Sequence, residues 1–140
     1  MHISKFVFVL GTATAVSPGV SETLPGTFIL DGVVDWGVVV KITQPPGLTT
    51  APSVRCIIPT SDRYGGGATF QTASIDLIDG GGTAWTYILG ETSAPRRMSV
   101  VVENRDETET ITVGEAFVTY MLVSDVTSSP GVETLPGEGE

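Results

Sequence analysis

The residues able to do chemistry are few in this 140-residue chain. There is one histidine, His2, and one cysteine, Cys56. Nucleophilic catalysis needs a base beside a Ser, Thr or Cys; the only imidazole stands at a chain end, and no Gly-x-Ser-x-Gly elbow occurs. One His and one Cys cannot build a tetrahedral zinc site within a single chain. The glycine runs Gly65–Gly67 and Gly80–Gly82 lack the Lys-Ser/Thr that completes a phosphate loop, and read as turns. Oxygen ligands for a hard cation could come from Asp76 and Asp79, or from Glu103, Asp106, Glu107 and Glu109, but no EF-hand spacing orders them. The expectation is a protein without enzymatic activity, metal or cofactor.

Two further features bear on binding. Arg96-Arg97 is the only basic doublet, placed to pair with an acidic neighbour. Tyr64, in the glycine-rich stretch Ser61–Gly67, is the aromatic expected to be exposed and to serve as an interface anchor. Trp36, Trp85 and Tyr87 lie in alternating segments and read as core; an aromatic platform on the surface would instead point to sugar binding.

The elements that must carry these residues are strands. In Asp35 to Thr43, Trp36, Val38, Val40 and Ile42 share one parity, while Asp35, Gly37, Val39, Lys41 and Thr43 share the other. Similar runs span Lys5–Leu10, Thr27–Leu30, Val54–Ile58, Ala68–Ile78, Thr83–Leu89, Arg97–Glu103 and Thr110–Val123. Pro- and Gly-rich clusters at Gln44–Gly47, Ser61–Gly67, Asp79–Gly82 and Ser93–Pro95 separate them. No window has a helical period. Arg97–Glu103 and Thr110–Val123 read as a closing hairpin, with Met98, Val100 and Val102 inward and a charged turn at Asn104–Glu109. Beyond Gly114 the apolar residues change parity, from Ile111 and Val113 to Ala116, Val118, Tyr120 and Leu122; a β-bulge at Gly114 would reconcile the two halves, the alternative being a strand break there.

About eight short strands predict an all-β fold, an antiparallel β-sandwich of jelly-roll or immunoglobulin-like type over residues 1–126. The stretch 127–140 is poor in apolar residues and ends Gly-Glu-Gly-Glu, so it reads as an extended C-terminal arm. Met1–Ala15 has the outline of a signal peptide, with one Lys, a short apolar run and Ala13-Thr14-Ala15. Its apolar core, Phe6–Leu10, is short and rich in β-branched and aromatic residues, so it reads as the first strand. No run approaches the roughly 18 apolar residues of a membrane span.

Composition narrows the partners. Charged residues make up 16% of the chain, below the usual share of about 25%. The net charge is −9, which leaves no electrostatic reason to bind nucleic acid or anionic lipid. With a single Cys no intramolecular disulfide forms; Cys56 sits in the apolar run Val54–Ile58 as a small buried hydrophobe.

The most specific feature is a repeat. Ser17-Pro18-Gly19-Val20-Ser21-Glu22-Thr23-Leu24-Pro25-Gly26 recurs as Ser129-Pro130-Gly131-Val132-Glu133-Thr134-Leu135-Pro136-Gly137, nine identities separated by one inserted serine. Each copy follows an apolar strand. Prolines limit the freedom of such a segment before it binds, which suits it to lie extended on a partner. The expectation is that both copies make equivalent extended contacts, one of them to a neighbouring subunit. The partner-contact residues expected are therefore Pro18, Val20, Leu24 and Pro25 of the first copy and Ser129 to Pro136 of the second, with Tyr64, Arg96 and Arg97.

With its Thr/Val/Gly-rich strands, lone Cys and the duplicated segments Ser17–Gly26 and Ser129–Gly137, the chain resembles the small all-β decoration or cement proteins of tailed-phage heads. No family motif carries functional residues across position by position. The resemblance implies a virion structural protein on the outer capsid surface, a homo-oligomer and often a trimer, bridging major capsid subunits with its arms. The alternative is a secreted or surface-attached β-sandwich module for carbohydrate binding or adhesion.

Overall fold

The computed structural model describes residues 2–25, 27–29, 33–61, 66–90, 97–124 and 132–133. Ten strands run through them: β1 His2–Val16, β2 Ser21–Thr23, β3 Thr27–Ile29, β4 Val33–Gln44, β5 Ser53–Ile57, β6 Thr69–Ser74, β7 Gly82–Leu89, β8 Arg97–Glu103, β9 Ile111–Ser124 and β10 Val132–Glu133. No helix occurs among the described residues.

All pairings are antiparallel. One sheet has the order β1-β9-β4-β7; the other runs β10-β3-β8-β5-β6, with β2 also on β8. The two sheets pack face to face as a β-sandwich, as expected from the sequence. Trp36, Val38, Val40 and Ile42 of β4 are buried, as their shared parity predicts, with Val113, Ala116 and Val118 of β9 beside them. They join Phe28, Val54, Cys56, Met98, Val100 and Val102 of the second sheet in one core. Burial of such side chains stabilises the fold by about 25 cal/mol per Å² of apolar surface.

The predicted bulge is present. Val40 pairs with Ala116 and Ile42 with Val113, so Gly114 and Glu115 together face Lys41. The extra residue turns Ala116 and Val118 back toward the core.

The closing hairpin is not. β8 pairs with β5, β2 and β3, whereas β9 pairs with β1 and β4. The connection between them therefore crosses from one sheet to the other, and buried polar groups hold it there. Asn104 donates from Nδ2 to the carbonyls of Val16 at 3.0 Å and Glu109 at 2.8 Å, and its Oδ1 accepts from Asp106 N at 3.0 Å. The strand read at Ala68–Ile78 is likewise shorter, ending at Ser74, because Gln44 holds the following segment in a loop. Gln44 Nε2 donates to Asp76 O at 2.8 Å, and Oε1 accepts from Ile78 N at 3.0 Å.

Candidate protein-binding surface

The first copy of the repeat opens with a tight turn. Val20 N donates to Ser17 O at 3.2 Å, with Pro18 and Gly19 between them. Gly19 has φ +70°, the left-handed conformation that a turn with Pro second and Gly third requires. From there the chain runs along β8. Val20 O accepts from Asn104 N at 3.0 Å, β2 pairs Ser21 with Glu103 and Glu22 with Val102, and Leu24 N donates to Val100 O at 2.8 Å. The second copy enters the same sheet: Val132 pairs with Phe28 and Glu133 with Thr27. One stretch of each copy, Ser21–Thr23 and Val132–Glu133, is thus a strand added antiparallel to the same sheet, and the second stretch lies on the chain's own β3.

The expected contact residues part company here. Val20 and Pro25 are exposed and Pro18 is half-buried. Leu24 is 3% exposed and belongs to the core, so it anchors the segment from within and offers no surface to a partner. Arg97 is half-buried and pairs with Ile29 at the start of β8. Ser129, Pro130, Gly131, Thr134, Leu135, Pro136, Tyr64 and Arg96 lie outside the described residues.

The acidic positions are occupied by the fold itself. Asp106 Oδ1 accepts from Thr49 N, Thr49 Oγ1 and Thr50 N, and Oδ2 from Thr108 N, Thr108 Oγ1 and Glu109 N. The backbone amides of Thr49, Glu109 and Thr108 hold its carboxyl well below the usual carboxylate range. Glu103 accepts from Arg105 Nε at 2.9 Å, and lies 3.2 Å from Arg55 Nε in an ion pair without hydrogen-bond alignment. The Arg105 hydrogen bond, followed by smaller contributions from Arg55 and Ser53, lowers its pKa despite partial burial. No group of three or more metal-ligating side chains occurs among the described residues. Cys56 is fully buried, and that burial pushes its thiol up to about 12.

Trp85 and Tyr87, expected in the core, are on the surface. In β7 the inward parity is Ala84, Thr86 and Ile88; Trp85, Tyr87 and Leu89 face out, exposed by 39%, 66% and 75%. They form one face with their cross-strand neighbours Lys41, Val39 and Gly37. The Trp85 ring is held by stacking on Phe117, centroids 5.9 Å apart and planes at 25°, and by Lys41 Nζ at 5.6 Å from its centroid. Beside them Thr43 and Thr83 share a 2.7 Å hydrogen bond between hydroxyls. Trp36, by contrast, is buried and meets Phe70 edge-on at 5.7 Å.

Comparison with known proteins adds the fold alone. No protein-family model and no curated protein matches the chain. A solved structure, dimeric latent PorU from Porphyromonas gingivalis, superposes with a TM-score of 0.53 at 8% identity. The match covers 86% of this chain and 13% of that one, so the chain corresponds to a small part of the larger protein. The sandwich is a shared architecture, and likeness of fold does not carry function.

Proposed function

We propose that this chain is a structural binding protein without enzymatic activity, which attaches to another protein through the outer face of the β1-β9-β4-β7 sheet. The observation that carries this reading is the contiguous exposure of Trp85, Tyr87 and Leu89 beside half-buried Val39 and Phe117. Exposed apolar residues scattered singly need no explanation, but a cluster with a rigidly held tryptophan is the composition of a binding hot spot. The rim residue Lys41 can meet a carboxylate, and the −9 chain has no use for a nucleic-acid surface.

In its specific form the reading is a virion decoration protein on the outer capsid surface, bound to major capsid subunits. Pairing of Ser21–Thr23 and Val132–Glu133, one stretch from each copy of the repeat, into the sheet supports it, since such stretches can equally add to a neighbour's sheet. The test is stoichiometry in density-purified virus particles. Copy numbers comparable with the major shell protein are expected; absence from particles overturns the virion reading.

The exposed Trp85 also favours a second reading, binding of a carbohydrate on the aromatic face with the Thr43 and Thr83 hydroxyls alongside. Titration with oligosaccharides while Trp85 emission is followed separates the two: a saturable change supports the sugar, a flat titration the protein partner.

A further inference from the structure

We draw no further inference here: the strongest candidate, the edge of β8 that seats Glu22-Thr23-Leu24, a sequence repeated as Glu133-Thr134-Leu135, is filled by the chain's own first copy, and nothing in the structure shows a second occupant.

Discussion

The carboxylate of Asp106 accepts the backbone N–H of Thr49 at 2.9 Å, joining the β8–β9 crossover to the loop between β4 and β5. Because the ionised carboxylate is the better acceptor, its folded pKa is depressed, and the depression of Glu103 acts in the same sense. The stability they contribute is present above the unfolded carboxylate pKa of about 4, and is lost as pH falls through the folded values. Chemical denaturation should therefore show little change from pH 7 down to about 5 and a decline below about 4. In Asp106→Asn the chain is less stable at neutral pH and the acid decline shallower.

Asn104 is the more sensitive member of the same node. Asn104→Ala leaves the carbonyls of Val16 and Glu109 and the amide of Asp106 without their partner. A loss of about 3 kcal/mol in unfolding free energy is expected. Urea titration measures it, and a loss below about 0.5 kcal/mol would show that water replaces the side chain.

Gly90 is fixed by Trp36 rather than by its own conformation. A Cβ built on Gly90 would lie 2.4 Å from Nε1 and Cε2 of the indole, so Gly90→Ala must displace the ring. The expected cost is about 1–3 kcal/mol, with a red shift in Trp36 emission. An unshifted spectrum at wild-type stability would contradict the packing described.

Cys56 should be chemically silent in the folded chain. With no exposure and a thiol pushed up to about 12, it should react with a disulfide reagent only at the rate of global unfolding. Labelling kinetics at several denaturant concentrations check this; fast labelling in buffer would place the thiol at the surface.

The strands were legible because their signals are local. The parity of Trp36, Val38, Val40 and Ile42, and the parity change at Gly114, gave β4 and the bulge in β9 directly. The crossover after β8 was not legible. A short charged segment between two alternating runs looks like a hairpin turn; what separates the strands is burial of Asn104 and Asp106 against Val16 and Thr49, residues distant in sequence. The candidate surface was half legible. Alternation places Trp85, Tyr87 and Leu89 on one face, and hydrophobicity alone assigns that face to the core. The smaller set Ala84, Thr86 and Ile88 faces inward instead, so the larger side chains are outside. That inversion of the burial rule was the available signal. Leu24 erred the other way: its repeat suggested a contact surface, and the Leu24 N–Val100 O bond carries it into the core.

The central claim is that the β7 face is the working surface. Its most direct test is binding of the double variant Tyr87→Lys/Leu89→Lys to virus particles, compared with wild type. Both side chains are largely exposed, so unfolding free energy should stay within about 0.5 kcal/mol of wild type. The account predicts that particle association is lost while the fold is retained; a double variant that binds particles as tightly as the wild-type chain would contradict it.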